Sequence, residues 1–284
     1  MEGLTGAPRP RWGRRAGFAA GGLGVIAAAA AAWGWFEAGW VRLETLDVPV
    51  RGLPEALRGL RIAHLSDFHL GIHGRGPKAG ERAVEWAAER RPDLVVVSGD
   101  LLSKPSGETM LRRLLERLPG AFVVLGNHDF AHSRDPFSRP SALFDLDPAV
   151  LLLGDARTVE LRGCRVQLVG VDPREYRRRR ARPHRLADPD ADLRILVCHY
   201  PRVVDALPPG AFHLVLAGHM HGGQICVPYP GGKLRLAHLR ARYSDGLYLR
   251  PAATLHVSPG LGTTFVPFRF CSRPEATELR LEPS

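Results

Sequence analysis

The sequence predicts an α/β domain built on a parallel sheet, and three observations carry that prediction. Short apolar runs such as Leu94 to Val97 are β-branched without alternation, the pattern of strands buried on both faces. The intervals Pro77 to Arg90 and Glu108 to Leu118 have helical spacing instead. Strand, helix, strand, helix, strand in that order means parallel strands joined by crossover helices. Finally, each apolar run stops at a cluster of polar residues, and open α/β sheets build their sites at the carboxyl ends of strands.

The N-terminal stretch stands apart from this pattern. Arg9, Arg11, Arg14 and Arg15 precede an uncharged Ala- and Gly-rich run from Ala16 to Phe36, long enough to span a bilayer. It reads as a membrane anchor, a cleaved signal or a buried helix. The buried helix is disfavoured because the run lacks a polar face. Arg14-Arg15 resembles a twin-arginine export signal, and Ala30-Ala31-Ala32 offers a small-residue cleavage site. An uncleaved anchor is the favoured reading. Arginines ahead of the run place the N-terminus in the cytoplasm and the rest of the chain outside. Trp33, Trp35 and Trp40 would then lie at the far interface. The expected division is residues 1–40 as anchor or export signal and 41–284 as one catalytic domain.

Within that domain, Leu43 to Val50 is a leading strand, and Pro54 and Gly59 mark a turn. Arg61 to Leu65 is a strand ending in Asp67-Phe68-His69. Residues two apart on a strand point to the same side, so Asp67 and His69 can converge. The helix from Pro77 is stopped by Pro92, and the strand Leu94 to Val97 ends in Ser98-Gly99-Asp100. The helix from Glu108 is ended by Pro119-Gly120, and the strand Phe122 to Leu125 ends in Gly126-Asn127-His128-Asp129.

Shorter strands follow at Leu151 to Leu153, Thr158 to Leu161 and Val166 to Val171, then an Arg-rich loop from Arg174 to Arg185. Leu193 to Val197 ends in Cys198-His199, and His213 to Ala217 ends in Gly218-His219-Met220-His221. The tail from Arg250 to Leu281 has alternating runs expected to close a second sheet.

Composition sets bounds on function. With 284 residues and a 45% apolar share, a single chain of this kind buries a full core. The net charge of +10 favours acidic partners such as phosphate esters, nucleic acid or anionic lipid, although Arg is abundant throughout. Cys164, Cys198, Cys226 and Cys271 are widely spaced, which excludes a disulfide framework or a thiolate zinc site.

Five strand ends of one chemical type remain: Asp67 and His69, Asp100, Asn127 and His128, His199, and His219 and His221. Carboxylates, an amide oxygen and imidazoles together suit manganese, iron, zinc or nickel. The ligands are too many for one ion and right for two. Asp100 is the natural bridge, with Gly99 letting backbone come close. Two ions about 4 Å apart can clamp the attacking and leaving oxygens of a phosphoryl transfer.

Asp67-x-His69, Gly99-Asp100, Gly126-Asn127-His128-Asp129, His199 and Gly218-His219-x-His221 together resemble the calcineurin-like metallophosphoesterases, over about residues 61–223. The resemblance implies a four-layer α/β/β/α sandwich of two mixed sheets. It implies one metal on Asp67, His69, Asp100 and His221, and a second on Asp100, Asn127, His199 and His219. His128 would act on the leaving oxygen or the transition state, oriented by Asp129. Hydroxide formed at the ions would attack phosphorus in line, with no covalent enzyme intermediate.

Gly222-Gly223-Gln224 and Arg273-Pro274-Glu275 resemble the membrane-associated single-domain branch, some of whose members cleave the pyrophosphate of UDP-diacylglucosamine. The expected enzyme is thus a metal-dependent hydrolase of a phosphorylated small molecule or lipid at the cell membrane, in lipid metabolism. The alternatives are a broad envelope phosphomonoesterase and a non-catalytic binder of a phosphorylated envelope component. Nucleic acid fits poorly with an outward-facing domain. That topology also conflicts with a cytoplasmic UDP-sugar. Among the other histidines, His64 is expected to be structural, His73 and His132 solvated, and His184, His213, His238 and His256 unremarkable.

Overall fold

The computed structural model describes residues 12–237 and 239–284, with side chains from residue 24 onward. Arg9, Arg11 and His238 therefore lie outside the described residues, as do the side chains of Arg14 and Arg15. Among the described residues fourteen strands and four α-helices follow one another: α1 (Trp12–Glu37), β1 (Arg42–Val50), β2 (Arg61–Leu65), α2 (Gly76–Arg90), β3 (Leu94–Ser98), α3 (Glu108–Leu115), β4 (Phe122–Val124) and β5 (Val150–Leu151). Then come β6 (Ala156–Leu161), β7 (Cys164–Gly170), α4 (Pro173–Arg177), β8 (Leu193–Val197), β9 (Leu214–Ala217), β10 (Cys226–Tyr229), β11 (Gly232–Arg235), β12 (Gly246–Leu249), β13 (Thr254–Val257) and β14 (Glu275–Pro283).

The strands form two six-stranded mixed sheets, ordered β1-β14-β2-β3-β4-β5 and β12-β13-β9-β8-β7-β6, with β10 and β11 as a separate hairpin. The central strands are parallel, as their unbroken apolar runs require: β2 to β5 in the first sheet and β7, β8, β9 and β13 in the second. Ile62, Val96, Val124, Ile195, Val197 and Leu216 fill the space between the sheets. On the outer face of the first sheet, Ala63, Leu65 and Val97 pack under Ala83, Val84 and Ala87 of α2 and Leu111 and Leu115 of α3. The outer face of the second sheet is covered by a thinner layer: Tyr200, Val203, Val204 and Phe212 lie over Leu196, Val215 and Leu255. The four-layer sandwich is present, with short turns and α4 in place of long helices in its last layer.

The tail departs from expectation. β13 joins the second sheet, but β14 crosses to the first, parallel to β1 and antiparallel to β2. Its alternation sends Leu279 and Leu281 into the core between the sheets. Nothing local in an alternating run tells which sheet will receive it.

The end of α1 is built into this domain. Residues 24–33 are exposed, whereas Gly34, Glu37 and Ala38 are buried. The Gly34 carbonyl accepts the Arg269 amide (3.0 Å), and Glu37 accepts the Ser272 amide (2.8 Å) and the Trp33 indole N–H (3.0 Å). A β-carbon at Gly34 would stand 2.5 Å from the Phe270 ring. Among the described residues, no helix is long and apolar enough to cross a membrane.

Candidate metal centre

Every predicted site residue lies just past the carboxyl end of a strand, and the strands belong to both sheets. Asp67 and His69 follow β2, Asp100 follows β3, and Asn127 and His128 follow β4. His199 follows β8, and His219 and His221 follow β9. The two sheets therefore meet at one edge, each supplying part of the cluster. The loops there are sharply turned: Asp67, His69, Asp100, His219 and His221 all have φ between 50° and 75°. Non-glycine residues rarely adopt this conformation, and it gathers where the surrounding structure holds a functional geometry in place.

Three overlapping groups place donor atoms within 4.8 Å of one another: Asp67, His69 and His221; His69, Asp100 and His128; and Asp100, His199 and His219. Nε2 of His221 lies 3.4 Å from Oδ1 of Asp67, and Nε2 of His69 lies 3.1 Å from Nε2 of His221. On the other side, Nδ1 of His219 lies 3.1 Å from Nε2 of His199. One atom belongs to both sides. Oδ2 of Asp100 is 3.6 Å from Nε2 of His69 and 3.1 Å from Nε2 of His199. Its other oxygen accepts the His128 amide at 2.8 Å.

These residues fit a cation. Asn127 Oδ1 and His128 Nδ1 are buried with no hydrogen-bond partner among the described residues, and both residues line the cleft. An orphaned buried acceptor beside two carboxylates and four imidazoles is satisfied by a divalent ion. The ring orientations agree. Nδ1 of His69 meets Ser103 Oγ (3.0 Å), and Nδ1 of His199 meets the Ser98 carbonyl (2.8 Å), which leaves both Nε2 atoms facing inward.

Burial pushes Asp67 and Asp100 up, but the facing histidines outweigh it and hold both below the usual carboxylate range. Burial pushes His199 down, yet Asp100 and Asp67 raise it to about 9. Burial, with His69 and His199, pushes His128 down to about 4 against the pull of Asp100. Near neutral pH the His128 ring is therefore uncharged and offers one N–H.

Asp129 ties neighbouring loops together. Its carboxylate accepts the backbone amides of Gly126 (2.8 Å), Leu102 (2.9 Å) and Leu101 (3.3 Å) and holds the loops after β3 and β4 together. Nδ1 of the His128 ring has no hydrogen-bond partner among the described residues, Asp129 included. The histidine expectations are refined too. His64 and His256 are buried and bonded to each other (2.8 Å), and His132 lines the cleft. Cys198 is a buried thiol pushed up to about 12 by desolvation.

Arg269 and Ser272 support the site without belonging to any strand-end motif of the sequence. Arg269 is fully buried and donates to the carbonyls of Pro259, Gly260, Gly262 and Ser272. Its Nη2 also reaches Nδ1 of His221 (3.3 Å). The loop it holds backs the ligands: a β-carbon on Gly260 would stand 2.6 Å from that of Asp67, and one on Gly262 2.8 Å from that of His69. Ser272 Oγ donates to the His221 carbonyl (2.8 Å). The signal available was a lone cation inside the apolar run Val266-Pro267-Phe268-Arg269-Phe270.

Comparison with known proteins agrees with this geometry. The family model for calcineurin-like phosphoesterases matches residues 60–223. The uncharacterized metallophosphoesterase YkoQ of Bacillus subtilis is 27% identical over 84% of this chain and 89% of its own length. A transmembrane protein with metallophosphoesterase domain from Danio rerio is 31% identical over 91% of this chain and 61% of its own. An uncharacterized metallophosphoesterase of Helicobacter pylori is 30% identical over 88% of this chain and 67% of its own. With the match running from the start of β2 through His221, the chain belongs to the calcineurin-like phosphoesterase family and is a metal-dependent phosphoester hydrolase.

Proposed function

We propose that the protein hydrolyses a phosphodiester or pyrophosphate, of a small molecule or a lipid of the UDP-diacylglucosamine kind, using two divalent ions of the manganese, iron or zinc type. The observation that carries this reading is Asp100 Oδ2, which faces His69 on one side and His199 on the other. A single oxygen between two donor groups is what a bridged pair of ions needs. Asp67, His69, Asp100 and His221 would hold one ion, and Asp100, Asn127, His199 and His219 the other. Bound there, the pair supplies Lewis acidity and a water acidic enough to react near neutral pH.

The chain's own residues do the rest. Arg134 and Arg177 line the cleft and draw the phosphate toward its floor. His128, uncharged and buried, donates a hydrogen bond to the leaving oxygen as negative charge grows on it. Asp129 keeps the loop carrying Asn127 and His128 in register with that of Asp100. Buried ligand side chains keep stray water out and strengthen each electrostatic contact.

The reading also places the enzyme at a membrane through its N-terminal helix, with the catalytic domain on the extracytoplasmic side. Val25, Ile26, Trp33, Phe36 and Trp40 are all exposed, and Trp33, Phe36 and Trp40 form one aromatic patch with ring centroids 5.6–6.4 Å apart. Indoles prefer the interface between water and lipid. A relative named as a transmembrane protein adds support.

The test is a panel on the metal-stripped full chain reloaded with manganese: an aryl monoester, an aryl diester, a nucleotide-diphosphate sugar and a lipid pyrophosphate, with Asp100→Asn as blank. Preference for the diester or pyrophosphates with a dead blank is expected. Preference for the monoester makes it a broad phosphomonoesterase, and no cleavage with any metal makes it a binder. A reporter fused after Ser284 reads the side of the membrane, and an inward-facing result overturns the extracytoplasmic placement.

A further inference from the structure

A second cavity, of about 720 Å³, opens beside the metal cleft of about 400 Å³, and Arg177 lines both. The partition between them is a ring pair. Tyr176, on the wall of the second cavity, stacks on Tyr200 of the cleft, with centroids 4.5 Å apart and planes 15° from parallel. Tyr200 in turn meets His219 and His199 edge-on, at 4.8 and 5.3 Å. Arg177 is pinned across this boundary by a bond from its Nη1 to the His132 carbonyl (2.7 Å).

The second cavity has an unusual combination of walls. Tyr176, Val203 and Leu207 give it an apolar side. Arg177, Arg179 and Arg182 give it a cationic one. Neighbouring Arg174 and Arg178 are neutralised by Asp172 and Glu175, and Arg202, which lines the cavity itself, faces Asp205 on the same wall at 4.0 Å. Among the described residues, Arg177, Arg179 and Arg182 have no carboxylate partner. Three uncompensated guanidiniums beside an apolar wall match an anion carried on an apolar body, and guanidinium forks pair well with phosphate oxygens.

We propose that this cavity is a second subsite for the substrate. The scissile phosphorus sits in the metal cleft, a second phosphate passes Arg177 to meet Arg179 and Arg182, and the apolar group attached to it lies along Tyr176, Val203 and Leu207. The ligand class is a pyrophosphate whose second phosphate bears an apolar chain. The assignment rests on the pyrophosphate reading above, and its test is separable from that reading because it measures binding.

The probes are decyl methylenediphosphonate, which is not hydrolysed, and decyl phosphonate, which has one anionic group. Calorimetry is performed on the manganese-loaded full chain and on Arg179→Ala/Arg182→Ala, two residues outside the metal cleft. The native chain is expected to bind the diphosphonate about tenfold or more tighter than the phosphonate, as two charged hydrogen bonds warrant. The double variant should lose that advantage, keep its melting temperature, and cleave bis-p-nitrophenyl phosphate at about the native rate, within twofold. Equal affinity for the two probes in the native chain, or an unchanged advantage in the variant, overturns the subsite. If no pyrophosphate or diester is cleaved but the advantage appears and is lost in the variant, the subsite stands and the hydrolytic reading falls.

Discussion

Gly126 lies so close under Asp100 that a β-carbon on it would stand 2.0 Å from Asp100 Oδ1 and 2.5 Å from the Asp100 amide nitrogen. The loops after β3 and β4 are therefore in contact at the one residue that faces both halves of the cluster.

Gly126→Ala should act as a metal-site mutation. The added methyl has nowhere to go except against the Asp100 carboxylate and backbone, so Asp100 must swing away from His199. Metal analysis of the purified variant is expected to show loss of metal. Native metal content together with native activity would refute the bridging role of Asp100.

His128→Ala should separate chemistry from metal binding. A hydrogen bond to the leaving oxygen is worth about 10²- to 10⁴-fold in rate. The variant is expected to lose turnover in that range while retaining its metal, as measured by steady-state kinetics beside metal analysis. If metal leaves with the ring, His128 is a ligand.

Arg269→Leu strands the buried carbonyls of Pro259, Gly262 and Ser272, which now receive a guanidinium, a loss of about 3 kcal/mol or more. Urea unfolding should show it. Arg269→Lys keeps the charge but not the fork, and is expected to recover only part of the loss. Because the same loop backs Asp67 and His69, apparent metal affinity should fall in both variants. A native midpoint in the leucine variant would contradict the buried network.

Acid sensitivity should come in part from the pair His64 and His256. Both are fully buried, and burial pushes His256 down to about 4 and His64 well below its ordinary value, with each also near the other. In the unfolded chain these rings protonate near 6.5. Between pH 6.5 and 4 the unfolded state therefore binds protons that the folded state refuses, and stability falls as pH falls. His256 alone contributes a loss of about 3 kcal/mol across that window. His256→Leu should be less stable at pH 7, since it leaves His64 without its ring partner, yet flatter between pH 7 and 4.5. Parallel unfolding curves of the two proteins at both pH values would exclude the pair as the cause.

The strand-end motifs were legible in the sequence because each is local: a run of β-branched residues and the two or three polar residues after it. Their order along the chain was enough to name Asp67, His69, Asp100, Asn127, His199, His219 and His221 together. What was not legible depends on contacts between distant segments. β14 chose the first sheet through pairing with β1 and β2, more than 200 residues away in sequence. Arg269 acts from behind the ligands. Asp129, beside His128 in sequence, accepts amides of the distant loop after β3. The charge of Arg177, Arg179 and Arg182 was visible, but only the fold placed those side chains beside an apolar wall.

The seam between helix and domain decides how the chain can be shortened. Residues 24–33 of the helix are exposed, and from Gly34 it is bonded to the segment that carries Arg269 and Ser272. A peptidase acting at Ala30-Ala31-Ala32 would release a domain with that seam intact. A cut after Ala38 would strip the acceptors from the Arg269 and Ser272 amides, two bonds from His221. The two fragments differ by only a few residues, and the shorter is expected to melt earlier and hold metal less tightly. Side-by-side melting and metal titration of the two fragments would show whether the helix end is a detachable leash or the last turn of the enzyme itself.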